Sequence, residues 1–219
     1  MQAKAIIFDM DGVLLDSQPL YHRQDIKLLG RFGKELDVQD VVPYSGLATR
    51  ERMGLYKKDF GIAESVERLA GLSADSMREV FSSGEIKPID GIPELLSFAK
   101  GKGLRLGLAS STSRELILVI LGRLGLAGFF EAIVSGEDVK SGKPAPDVYL
   151  RAAEAVGFLP ASCAAVEDSL VGMQAARAAG LTCIAYRNSY TLDYSSADYV
   201  VGSFSECIPL FDKLAAGGA

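Results

Sequence analysis

Reactive side chains stand directly behind short apolar runs at several places in this 219-residue chain. Asp9 and Asp11, in FDMDGVLLD, follow the run AIIF. Ser110 and Ser111, in LASSTS, close the run LRLGLA, and Lys143, in SGKPAPD, is held between Gly142 and Pro144. Glu167 and Asp168, in VEDSLVG, follow CAAV. Each has an ordinary structural explanation when taken alone: a capped turn, a helix-capping serine, a solvated lysine. Taken together they specify more. Two carboxylates this close repel and need a cation or a proton between them. Clustered carboxylate oxygens suit a hard cation, most simply Mg2+. A cation beside a lysine and a hydroxyl suits a phosphate group. A carboxylate free to attack phosphorus would form an aspartyl-phosphate.

These residues require elements that bring strand ends together. The runs 5–8, 104–109, 132–134, 163–166, 183–186 and 199–201 are continuously apolar rather than alternating. That pattern predicts strands buried on both faces, as in a parallel sheet. Helical segments alternate with most of them. PDVYLRAAEAVG ends at Gly157, and SLVGMQAARAAG runs from a candidate N-cap, Ser169, to Gly180. The alternation predicts an α/β fold with a doubly wound parallel sheet, whose ligand site lies at the carboxyl ends of the strands. Asp9, Asp11, Ser110, Lys143, Glu167 and Asp168 would all fall at that edge.

One stretch breaks the alternation. Residues 17–87 show helical periodicity at 21–33, 50–61 and 74–84 and no buried strand. This predicts an inserted helical domain over 17–87 and an α/β core formed by 1–16 and 88–219.

Bulk composition narrows the function classes. Hydrophobic residues make up 48% of the chain, enough for a sizeable core, and the net charge is −5. There is no basic stretch to follow a nucleic-acid backbone, so nucleic acid is not an expected partner. No apolar run has the length of a membrane span. The start, MQAKAIIFD, lacks a signal-peptide pattern. The three cysteines, Cys163, Cys183 and Cys207, have no metal-ligand spacing and read as reduced core residues. A cytoplasmic monomer is the expectation.

DMDGV, a strand-ending Ser110, GKPAPD and VEDSLVG, in that order, resemble the haloacid dehalogenase superfamily over essentially the whole chain. The helical insertion resembles that superfamily's small helical cap, giving a Rossmann-like core with a cap domain. The look is closest to β-phosphoglucomutase-like phosphatases of small phosphorylated metabolites. The resemblance implies that Asp9 is the nucleophile and Asp11 the general acid/base. It implies that Ser110 and Lys143 hold the transferring phosphoryl oxygens. Mg2+ would be bound by Asp9, the Asp11 backbone carbonyl and Asp168, with Glu167 direct or through water. Dehalogenases and phosphonate-cleaving members lack an aspartate matching Asp11, which favours phosphate esters here. The mutases carry a histidine where this chain has Tyr21 and a lysine where it has Ser113. His22, the only histidine, stands one place away and is a candidate substrate contact, as is Ser111. SGLATRER (45–52) resembles the specificity loop, with Gly46 letting backbone approach the site and Arg50 meeting a second anionic or hydroxyl group. The implied activity is a Mg2+-dependent phosphatase of small phosphate esters, sugar phosphates above all; a phosphosugar mutase, disfavoured by Tyr21 and Ser113, and a catalytically silent phospho-ligand binding protein, disfavoured by the intact Asp9, Asp11, Lys143 and Asp168 set, remain open.

Overall fold

The computed structural model describes residues 2–188 and 193–217. The apolar runs are strands: β1 (Ala5–Phe8), β2 (Arg105–Ser110), β3 (Ala132–Ser135), β4 (Cys163–Glu167), β5 (Thr182–Tyr186) and β6 (Tyr199–Val201). They form one six-stranded sheet in the order β3-β2-β1-β4-β5-β6. Every adjacent pair is parallel. The winding reverses between β1 and β4, the place where open α/β sheets leave a crevice beyond their carboxyl ends.

The helices are α1 (Gln18–Gly30), α2 (Val38–Val41), α3 (Thr49–Asp59), α4 (Val66–Ser83), α5 (Ile92–Gly101), α6 (Arg114–Leu124), α7 (Asp147–Val156), α8 (Leu170–Ala178) and α9 (Phe204–Ala216). Alternation along β1 sends its side chains to both faces. Ile6 and Phe8 pack with Leu95 of α5, Ile117 of α6 and Phe211 of α9. Ala5 and Ile7 pack with Val148 of α7 and Met173 of α8. Burial on both faces is why these strands are continuously apolar, and each buried Ile, Leu or Phe contributes about 1.5–3 kcal/mol. Ser169 caps α8, its Oγ accepting from the Gly172 amide at 3.1 Å, and Gly157 ends α7 at φ 84°.

Helices α1 to α4 lie between β1 and α5 and have a cluster of their own, built on Leu28, Leu29, Met53, Tyr56 and Leu69. Met77 and Phe81, late in α4, instead join the core beside the sheet. Helix α4 starts well before residue 74, where the periodicity pointed. Ser65 caps it, Oγ accepting from the Arg68 amide at 3.2 Å, and Gly71 and Ser73 blur the apolar pattern of its first turns. Among the described residues, no helix is long and apolar enough to cross a membrane. All three cysteines are free and buried.

Candidate active site

Asp9 continues the line of β1, its amide donating to Val166 O of β4 at 2.9 Å. Its carboxylate therefore points into the crevice. Lys143 reaches it from the loop before α7. Lys143 Nζ lies 2.7 Å from Asp9 Oδ1 and 3.2 Å from Ala109 O, and it also pairs with Glu167 Oε1. Burial alone would drive the lysine pKa down, but the charges of Asp9 and Glu167 reverse this and hold it above its usual value. The ammonium is therefore a fixed positive charge.

Glu167 ends β4, fully buried. Its Oε1 also accepts from Tyr149 OH at 2.6 Å, and its Oε2 accepts from the Asp168 and Ser169 amides at 3.1 and 3.3 Å. Gly172 leaves room for it: a Cβ there would lie 2.0 Å from Glu167 Oε1. Asp168 turns back toward β1. Asn188 Nδ2 donates to its Oδ2 at 2.8 Å. Gly12 adopts φ +81°, and a Cβ at that position would lie 1.9 Å from Asp168 Oδ2. Both the backbone and the space at Gly12 demand glycine.

Asp11 faces the other way, toward the loop after β2. Its Oδ2 accepts from Thr112 Oγ1 at 2.7 Å, with Ser110 Oγ at 3.5 Å. Its Oδ1 is buried without a hydrogen-bond partner. Burial raises the Asp11 pKa, opposed by the nearby Ser17 and Thr112 hydroxyls and by the charges of Lys143 and Arg52.

A chamber of about 40 Å³ is lined by Asp9, Asp11, Lys143 and Asp168 from the core and by Tyr21, Gly46 and Arg52 from the helical segment. A second cavity of about 450 Å³ shares Tyr21, Thr49, Ser111 and Thr112 with it. The small chamber holds a few water volumes, about the space of a phosphoryl group. The larger one has the size of a small-molecule pocket.

The structure thus gathers Asp9, Asp11, Lys143, Glu167 and Asp168 at one place. Gly46 and Ser111 line the chamber, Gly46 with φ +81°. Three other expected contacts are placed differently. Ser110 is fully buried and is not part of the chamber wall; its Oγ accepts from the Thr112 amide at 3.1 Å. Position 110 still belongs to the sheet, so Ser111 and Thr112 are the residues that emerge. Arg50 lines the larger cavity, and its exposed guanidinium pairs with Glu67. Arg52, two residues on and so on a different face of α3, lines the chamber instead. His22 is buried, with Nε2 2.8 Å from Ser45 Oγ, and does not line the chamber.

Sequence reasoning passed over Arg52, Thr112, Tyr149 and Asn188 as site residues. Thr112 stood within LASSTS and could have been found by asking which hydroxyl first leaves the strand. Asn188 follows β5 at the same sheet edge. Nothing local marks Tyr149, a helix residue, or distinguishes Arg52 from Arg50.

One oxygen atom each from Asp9, Glu167 and Asp168 lie within 4.8 Å of one another. Burial pushes Asp9 up to about 8, partly offset by Lys143 and reinforced by Glu167 and Asp11. Asp168 is pushed well above its usual value by burial and then by Glu167 and Asp9. Carboxylates crowded beyond what one ammonium can neutralise fit a divalent cation, which would relieve this repulsion.

A family model for haloacid dehalogenase-like hydrolases matches residues 6–186. The sheet order and the clustered strand-end carboxylates agree with that match, and the chain belongs to the haloacid dehalogenase-like hydrolase family. Among its relatives is Protein CbbY of Rhodobacter capsulatus, 35% identical over 94% of this chain and 95% of the relative. The phosphorylated carbohydrates phosphatase of Thermotoga maritima is also 35% identical, over 81% of this chain and 82% of its own. A crystal structure of a CbbY mutant from Rhodobacter sphaeroides, in complex with xylulose-(1,5)bisphosphate, superposes with a TM-score of 0.83 at 26% identity, covering 94% of this chain and 96% of that one. The enzyme class these relatives support is phosphoric monoester hydrolase.

Proposed function

We propose that the protein is a Mg2+-dependent phosphatase of small phosphorylated metabolites, sugar phosphates above all, working through an aspartyl-phosphate on Asp9. The observation that carries this reading is the position of Asp9, held against Lys143 at the switch point of the sheet, with Asp11 across a chamber of phosphoryl size. Kinship with a phosphatase of phosphorylated carbohydrates supports the substrate class.

In this reading an Asp9 oxygen attacks phosphorus and the bond to the leaving oxygen breaks. Asp11 gives that oxygen its proton, then takes a proton from the water that attacks the phosphorylated Asp9. Inorganic phosphate leaves and Asp9 is restored. Lys143 and Ser111 hold phosphoryl oxygens, with Ser110 supporting the loop of Ser111 and Thr112 from beneath. Asp9, Asp168 and the Asp11 carbonyl would hold Mg2+, with Glu167 anchoring Lys143 beside them. When bound, the ion supplies charge neutralisation for the phosphoryl oxygens.

Residues 17–87 act as a cap over the core. Gly46 brings its backbone to the chamber, and Arg52 presents Nη2, which is buried without a hydrogen-bond partner, to an anionic or hydroxyl oxygen of the substrate. The leaving group extends into the larger cavity, with Arg50 at its wall. Tyr21 in the chamber, and His22 outside it, favour water over a sugar hydroxyl as the phosphoryl acceptor.

The test is phosphate release from hexose, pentose and triose phosphates and sugar bisphosphates, with Mg2+ and with EDTA. Hydrolysis should require Mg2+ and disappear in Asp9→Asn. Isomerisation of β-glucose 1-phosphate without phosphate release would replace the reading with a mutase. Binding with no turnover on any ester would leave only a phospho-ligand binding protein.

A further inference from the structure

The chain spends a buried hydroxyl on Asp11, and the partners of that hydroxyl come from both parts of the molecule. Thr112 Oγ1 donates to Asp11 Oδ2 at 2.7 Å. A threonine hydroxyl has one proton, and this bond uses it. The Tyr21 hydroxyl, 3.4 Å from Thr112 Oγ1, is placed to donate to Thr112. Burial and the neighbouring Asp11 charge raise the Tyr21 pKa above its usual value, so the phenol keeps the proton it needs. With Asp11 Oδ2 as the acceptor, the relay runs from Tyr21 to Thr112 to Asp11.

The backbone of Thr112 is fixed as well. Its amide donates to Ser110 Oγ at 3.1 Å and its carbonyl accepts from Ser135 Oγ at 2.7 Å. Tyr21 is held on α1 by an edge contact with Phe81, ring centroids 6.1 Å apart, and by the Arg52 guanidinium 5.1 Å from its ring centre. One Asp11 oxygen is thereby held by Thr112, which fixes the rotamer of the carboxyl group; Oδ1 is buried without a hydrogen-bond partner.

We propose that Thr112 is a positioning residue for Asp11, and that Tyr21 orients Thr112 from the helical segment. The relay holds the Asp11 carboxyl in one rotamer at the chamber wall. Because Tyr21 and Thr112 belong to different parts of the chain, the relay is complete only when the helical segment rests on the core. This rests on the reading of Asp11 as general acid.

The test exploits the leaving group. A sugar alkoxide must be protonated as it departs, whereas p-nitrophenolate need not be. Values of kcat/KM are measured for a hexose phosphate and for p-nitrophenyl phosphate in wild type, Thr112→Val, Thr112→Ser, Tyr21→Phe and Asp11→Ala. Thr112→Val should lower hydrolysis of the sugar phosphate about 10- to 100-fold, a part of what a general acid supplies, and that of the aryl phosphate less than about threefold. Thr112→Ser, which restores the hydroxyl, should recover most of the loss. Tyr21→Phe should show the same selectivity with smaller amplitude, about threefold, as loss of an indirect contact. If Asp11→Ala is selective for the sugar phosphate but Thr112→Val is not, the relay is overturned and the general acid stands. If Asp11→Ala loses both substrates equally, the general-acid reading falls and the relay with it. Should Thr112→Val fail to fold, Thr112→Ser and Tyr21→Phe decide: a serine variant with wild-type selectivity and a selective loss in Tyr21→Phe support the relay, and a Tyr21→Phe enzyme indifferent to leaving group refutes it.

Discussion

Replacing Arg52 by methionine removes a buried guanidinium while keeping a long apolar stem. Arg52 Nε is 3.0 Å from Asp25 Oδ2, with the two side chains only 7% and 2% exposed. The same Asp25 oxygen accepts from Tyr56 OH at 2.9 Å. In Arg52→Met the carboxylate keeps only that hydroxyl. Breaking a buried pair from one side costs about 3–5 kcal/mol. At about 2–4 °C per kcal/mol for a chain of this length, Tm should fall by roughly 6–20 °C. Burial already raises the Asp25 pKa, against the pull of Arg52 and Tyr56. Without Arg52 it rises further, so the folded state holds the proton more tightly than the unfolded chain, where the value is 3.8. Stability is then lost as pH rises through the folded pKa, and the Tm deficit should widen as pH rises above the ordinary carboxylate range. Adding Asp25→Asn removes the orphan charge and should recover at least half of the lost Tm. It should not recover kcat/KM for sugar phosphates, because the group facing the chamber is still missing. Scanning calorimetry across pH and steady-state kinetics on both variants make the test. A Tm loss below about 2 °C, under 1 kcal/mol on the same scale, would refute the buried pair. Recovery of both stability and activity in the double variant would reduce Arg52 to a structural residue.

Gly12→Ala should force a Cβ into the Asp168 carboxylate and place alanine at φ +81°, a strain of about 1–2 kcal/mol before any displacement. Mg2+ should raise Tm in wild type by ligand linkage, about 2.7 kcal/mol at 100 times Kd, and should fail to do so in the variant; an undiminished Mg2+ response would show that Asp168 is not a ligand. Tyr149→Phe removes the 2.6 Å hydrogen bond to buried Glu167 without altering the chamber wall. Unfolding free energy in urea should fall by about 1.5–3 kcal/mol, the range for a hydrogen bond to a charged group, and a change below about 0.5 kcal/mol would mean that the bond contributes little.

The sheet was legible because burial on both faces leaves an unambiguous mark. Each of the six apolar runs became a strand. The strand-end residues followed, since a carboxylate directly after a buried strand has only the sheet edge to occupy. Legibility failed where position depends on packing between distant segments. Arg50 and Arg52 read alike in sequence, and only the pairing with Asp25 of α1, which Tyr56 of α3 also meets, turns Arg52 inward. Ser110 looked like the exposed end of its strand, but β2 pairs with β3 through Ser110 and Ser135, which keeps it inside the sheet. His22, conspicuous as a lone histidine, is taken up by Ser45. Tyr149 is marked only by what its hydroxyl touches across the core.

The spacing of Asp9 and Asp11 has a reason in the sheet order. β1 lies between β2 and β4, so a chain leaving β1 can address either neighbour. Asp9 is still tied to β4 through its amide and takes Lys143, whose other carboxylate partner, Glu167, ends that strand. Asp11, just before the turn at Gly12, takes Thr112 beyond β2. Two identical side chains thus receive different partners, a fixed cation for one and a neutral hydroxyl for the other. The first arrangement opposes the burial that raises the Asp9 pKa and so favours the anion that the proposed attack on phosphorus needs. The second suits one that must carry a proton and release it. A spacing of one residue would send the second side chain to the opposite face of the sheet, and a longer one would carry it out of the crevice. Gly12, at φ +81°, turns the chain at the point where the second carboxylate has been delivered.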